Sequence, residues 1–119
     1  MCGIVGYVSS GVRDADGMIN ALGHRGPDAC GAYRADINGR AVFLGHTRLS
    51  IIDLSEAGTQ PMFTAYRRIA LVFNGEIYNF QELKRRFLGD VQFRSSTDTE
   101  VLLALYERMG MDFLQHLNG

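Results

Sequence analysis

Tryptophan is absent from this 119-residue chain, and proline and cysteine occur only twice each. The two cysteines, Cys2 and Cys30, leave one disulfide open but are too few to staple a small secreted scaffold. No charged stretch precedes the apolar residues of Met1-Cys2-Gly3-Ile4-Val5-Gly6, as a secretory signal requires. Reduced thiols and a cytoplasmic location are therefore the expectation. No apolar run approaches the roughly 20 residues that span a bilayer, so no membrane partner is expected. A net charge of −1 provides neither the basic surface of a nucleic-acid binder nor a polybasic membrane patch. Repeats and low-complexity tracts are lacking. So is a glycine-rich phosphate loop, which argues against ATP binding by that device in this segment. His24, His46 and His116 do not have metal-ligand spacing, and no Cys/His cluster suggests zinc; no metal is expected.

What remains is the composition of an ordinary soluble globular protein, 46% hydrophobic and 21% charged, at a length that fits one domain. Cys2 to Val8 reads as a short β-rich run ending in the Ser9-Ser10-Gly11 turn. Asp14 to Leu22 has Ala15, Met18, Ile19 and Leu22 at helical spacing, with Gly23 as its stop and the loop His24-Arg25-Gly26-Pro27-Asp28 after it. Asn38-Gly39 is a strong hairpin signal. Ala41–Leu44, Leu49–Ile52 and Ile69–Phe73 read as strands, with a break at Gln60-Pro61-Met62 and a turn at Asn74-Gly75. Asn79 to Glu82 and Thr97 to Glu100 each have the spacing of a capping box. The first precedes Phe80, Leu83 and Phe87 on one helix face. The second precedes Val101, Leu102, Leu105 and Met109, with Gly110 placed to stop the helix. Asp112–Leu117 fits one more short helix. Strands early and helices late make this α+β rather than a regular βαβ chain.

Cys2 is the most informative residue. Its small side chain favours removal of Met1 by a methionine aminopeptidase, which would leave a thiol and a free α-amine on one residue. That amine is far less basic than a lysine and can act as general base for its own thiol. The alternative is a cysteine that merely packs in a strand. Asn74-Gly75-Glu76, just past an apolar strand, has the parts of an oxyanion hole: a side-chain amide and an unhindered N–H. It is equally the composition of a plain β-turn. Arg48 has the planar fork that clamps a carboxylate, or is a surface arginine. Asp98, at a helix start, suits the positive end of the helix dipole.

Taken together these residues resemble the class II glutamine amidotransferases, in particular the asparagine synthetase (glutamine-hydrolysing) branch. The blocks are MCGIVGY (1–7), HRGPD (24–28), HTRLSIIDLSEAGTQPM (46–62), VFNGEIYNFQEL (72–83) and STDTEVLLALYERMG (96–110), in the family's order and over nearly the whole chain. HRGPD and NGEIYN separate this branch from amidotransferases that begin similarly. The resemblance implies that the Cys2 thiolate attacks the side-chain amide of glutamine, with Asn74 and Gly75 as oxyanion hole. It further implies Arg48 on the substrate α-carboxylate, Asp98 on its α-ammonium, and Glu76 holding a polar end. The chemistry is coherent, since a zwitterionic amino acid needs one cation and one anion at fixed separation. The implied product, ammonia, passes to a synthetase domain of the same chain that uses ATP and Mg to activate aspartate; this segment itself needs no cofactor.

The implied fold is a four-layer αββα sandwich of the N-terminal nucleophile hydrolase type. Residues 1–119 then form a partial, truncated glutaminase domain, lacking later core strands and the synthetase domain. A chain ending in the turn signal Asn118-Gly119 agrees with that. Uncovered sheet edges predict self-association, as in a homodimer, or a poorly ordered C-terminal edge, and an inactive fragment. Two other functions fit the same residues: the glutaminase half of an enzyme acting on a sugar or peptide, and a non-catalytic binding fragment.

Overall fold

A computed structural model describes residues 1–11, 13–50 and 56–119. Its architecture is mixed α and β, compatible with α+β, and the chain divides into two compact units.

The first unit is organised by an antiparallel three-stranded sheet, order β1-β3-β2, of β1 (Gly3–Ser9), β2 (Ala29–Ile37) and β3 (Arg40–Arg48). The register follows from the turn between β2 and β3. Asn38 and Gly39 both have positive φ, 54° and 75°, as a two-residue hairpin requires, and Ile37 pairs with Arg40. From there the period of two sends Phe43, Gly45 and Thr47 to one face of the central strand. Helix α1 (Ala15–Asn20), capped by the Asp14 carboxylate on the Gly17 N–H, packs Ala15 and Ile19 there against Phe43, Val5 and Tyr7. Arg34 adds a guanidinium over the Phe43 ring and an ion pair to Asp16. The other face carries Leu44, His46 and Arg48, opposite Tyr33, Gly31 and Ala29.

The second unit contains Met62–Leu71 and Gly75–Gly119. Strands β4 (Met62–Phe63) and β5 (Ala70–Leu71) form a short hairpin. Its loop is tied by Thr64, whose N–H donates to the Ile69 carbonyl and whose hydroxyl accepts from the Ile69 N–H. Helix α2 (Phe80–Phe87) buries Leu83, and helix α3 (Asp98–Met109) buries Val101, Leu102, Leu103 and Leu105. The α3 start is capped as its sequence predicts: Thr97 Oγ1 accepts from the Glu100 N–H at 3.2 Å. Glu100 reaches back past Thr97 to the N–H groups of Arg94 and Ser95. Gly110, with φ 59°, ends the helix.

Several expectations change. The first helix stops at Asn20, and Gly23–Arg25 form a 3-10 turn instead of plain loop. The strand expected over Ala41–Leu44 runs on to Arg48, because Gly45, His46 and Thr47 continue the alternation between the flanking strands. Leu49 and Ser50 lie outside any strand, and the rest of the expected Leu49–Ile52 strand falls outside the described residues. The strand expected over Ile69–Phe73 shortens to Ala70–Leu71. Asn79 precedes α2 without capping it. Its side-chain amide donates instead to the His116 carbonyl, and its oxygen accepts from the Asn118 N–H. The final residues, Gly110–His116 as a 3-10 helix and then Leu117–Gly119, are tied to the start of α2 by these two bonds.

Candidate active site

Cys2 immediately precedes β1, and Arg48 ends the neighbouring strand β3; Gly3 pairs with Thr47 between them. The Cys2 thiol lies against the next residue along, Leu49. The Leu49 N–H is 3.3 Å from Sγ and its carbonyl oxygen 3.6 Å. Arg48 is 6% exposed, which removes the reading as a surface arginine. Met1 is well exposed, within reach of an aminopeptidase.

The loop 24–28 holds both of these residues. Arg25 Nε donates to the Cys2 carbonyl at 3.1 Å. Gly26 lies so close to β3 that a Cβ built on it would come within 2.3 Å of the Thr47 carbonyl and 2.5 Å of the Arg48 nitrogen. Pro27 bridges Arg48, and the Asp28 N–H donates to the Arg48 carbonyl. The Asp28 carboxylate then accepts from the Ser50 N–H at 2.7 Å. HRGPD thus acts here as a brace: a cation on the Cys2 carbonyl, a bare Cα against the strand, and a carboxylate that fixes the chain beyond Arg48.

A second approach falls on the same unit. A Cβ on Gly31 would lie 1.9 Å from the Gln60 carbonyl oxygen, so residues 59–61 pass over β2 where it lacks a side chain. Gln60 is buried, follows into a cis bond with Pro61, and accepts the Phe73 N–H on its side-chain oxygen. Asn74 follows directly, half-buried.

Asp98 belongs to the second unit. It is the first residue of α3, where a carboxylate suits the helix dipole. Yet it is only 4% exposed, and its Oδ2 accepts the Ile77 N–H at 2.9 Å. It therefore secures the chain immediately after Gly75 and Glu76, both of which are exposed. The six expected site residues divide evenly: Cys2, Arg48 and Asn74 in the first unit, Gly75, Glu76 and Asp98 in the second.

His46, two residues before Arg48 on the same face, is completely buried with neither ring nitrogen hydrogen-bonded among the described residues. Burial and the neighbouring Arg48 charge lower its pKa to about 4. It is a neutral imidazole at physiological pH.

Residues 1–119 match the family model for the glutamine amidotransferase domain. The chain belongs to that family. It is of the asparagine synthetase type, as its relatives indicate. It is 39% identical to a putative asparagine synthetase [glutamine-hydrolyzing] 2 of Methanocaldococcus jannaschii, over 100% of this chain and 26% of the relative. It is 44% identical to asparagine synthetase B [glutamine-hydrolyzing] of Escherichia coli, over 81% of this chain and 16% of the relative. It is 39% identical to the amidase chry2 of Gibberella zeae, over 91% of this chain and 16% of that protein. The chain thus spans between about a sixth and a quarter of the length of these relatives.

The loops that matter were visible in the sequence as motifs but not as devices. Nothing in HRGPD announces that its arginine binds the Cys2 carbonyl, nor in Gly-Thr-Gln-Pro that Gln60 binds Phe73. Glycines within or opposite such loops, Gly26 and Gly31, were the available sign of close backbone approach.

Proposed function

We propose that the protein hydrolyses glutamine to glutamate and ammonia through a thioester on Cys2. With Met1 removed, the α-amine of Cys2 takes the thiol proton, and Sγ adds to the amide carbon of glutamine. The Asn74 side chain and Gly75 N–H receive the developing oxyanion. Collapse breaks the C–N bond, and the amine's proton leaves with ammonia. Water then adds to the thioester, releasing glutamate and restoring the thiol. Arg48 holds the substrate α-carboxylate, Asp98 the α-ammonium, and Glu76 a polar end of the substrate.

The observation that carries this reading is that one loop, residues 24–28, is fastened both to the Cys2 carbonyl and to the carbonyl of a buried Arg48. A structural cysteine gives no reason to bury an arginine at the end of the adjacent strand, whereas a site for the α-carboxylate of an amino acid does. In the whole protein the fold is the four-layer αββα sandwich of the N-terminal nucleophile hydrolases, completed by strands beyond residue 119. Ammonia serves a synthetase domain of the same chain, in the cytoplasm, where ATP and Mg activate aspartate for asparagine formation. A second reading keeps the same glutamine chemistry in an amidotransferase that acts on a sugar or peptide substrate; it is favoured by similarity to a protein named an amidase, chry2, rather than an asparagine synthetase.

Replacement of Cys2 by alanine in the full-length protein tests the reading. Glutamate release should vanish, ammonia-dependent product formation should persist, and acid quench of the native enzyme with glutamine should trap a glutamyl adduct on Cys2. Undiminished glutamate release by Cys2→Ala refutes it.

A further inference from the structure

We propose that Gln60 is a positioning residue for the oxyanion side of the glutamine site, acting on Asn74 through Phe73; this rests on the thioester reading above. Gln60 is gripped at both ends. Its main-chain carbonyl sits over Gly31 of β2, where a Cβ would stand 1.9 Å from the oxygen. Its side-chain oxygen, buried, accepts the Phe73 N–H. One residue thereby couples the sheet to the segment Val72–Asn74, within the same unit.

The next peptide along is that of Asn74. Consecutive Cα atoms are only ~3.8 Å apart across a trans peptide, so a displacement at Phe73 reaches Asn74 with little room for compensation. A donor to an oxyanion must lie about 2.7–3.1 Å from the oxygen in the transition state, and a loss of alignment appears chiefly in kcat. The substrate's carboxylate and ammonium are assigned to Arg48 and Asp98 rather than to Gln60, so KM should move far less than kcat.

The test uses the full-length protein, with glutamate release from glutamine as readout. Gln60→Met, which removes the acceptor at similar length, should lower kcat by about tenfold or more while KM stays within about threefold. Gln60→Glu, which keeps an acceptor oxygen, should restore most of the rate. In an Asn74→Ala background, Gln60→Met should cost nothing further, because the residue acts through the amide already removed. Gly31→Ala pushes the same carbonyl while leaving Gln60 intact, and should show the same kcat loss; it carries the test if Gln60→Met does not fold. Unchanged kcat in the folded Gln60 or Gly31 variants overturns the proposal, as does a Gln60→Met loss that adds in full to that of Asn74→Ala. Failure of the underlying reading looks different: Asn74→Ala alone would leave kcat intact, or no glutamyl-Cys2 adduct would form in the native enzyme.

Discussion

The Asp98 carboxylate accepts the backbone N–H of Ile77 at 2.9 Å while almost wholly removed from solvent. A residue proposed to hold the substrate ammonium therefore also fixes the chain next to Gly75 and Glu76. The two duties separate by mutation. Asp98→Ala leaves the buried Ile77 N–H without its acceptor and should cost on the order of 1–3 kcal/mol of stability, measured by urea unfolding. Asp98→Asn retains an acceptor oxygen but no charge. It should unfold near the native midpoint yet raise KM for glutamine strongly. Equal stability losses in both variants, with native KM in Asp98→Asn, would remove the substrate role.

Arg48 offers a complementary contrast. Buried at the end of β3, it is proposed to grip the α-carboxylate with two parallel N–H donors. Lysine preserves the charge but not the fork. Arg48→Lys should reduce kcat/KM for glutamine by on the order of 1–3 kcal/mol, the range for a hydrogen bond to a charged group. Ammonia-dependent synthesis should survive, since ammonia bypasses this site. Native glutaminase kinetics in the variant would exclude Arg48 from substrate binding.

How legible was this in the sequence? Local signals were reliable where a short stretch decides its own geometry. Asn38-Gly39 set the hairpin and hence which strand residues face α1. Thr97 and Gly110 marked both ends of α3. Asn79 has the same spacing to Glu82 as Thr97 to Glu100, yet it does not cap, because its amide is claimed by His116 and Asn118 some 37 to 39 residues away. No local pattern contains that competition. The ends of β3 and β5 were likewise misjudged, because apolar runs do not reveal where pairing partners stop. The candidate site residues were named from motif and resemblance. Their supports, Arg25, Asp28 and Gln60, emerge only when distant segments come together.

His46 makes the protein sensitive to acid. Its pKa falls from 6.5 to about 4 on folding, through burial first and the Arg48 charge second. Between those values the unfolded chain binds a proton that the native one refuses, so stability rises with pH across that window. It is present in full above about 6.5, is lost as pH falls toward 4, and changes no further below. The loss is at most on the order of 3 kcal/mol. Thermal melts from pH 4 to 7 should show this slope, and His46→Phe should flatten it. An identical slope in that variant would place the acid sensitivity elsewhere.

In the proposed mechanism the free α-amine of Cys2 activates its own thiol. While Met1 remains attached, that nitrogen is an amide without a basic lone pair. The decisive measurement is glutamate release from glutamine by two preparations of the full-length protein, with and without Met1, their N-termini verified by mass. Turnover is expected only for the form that begins at Cys2. Comparable turnover by the form that retains Met1 would contradict it and end the N-terminal nucleophile mechanism for this protein.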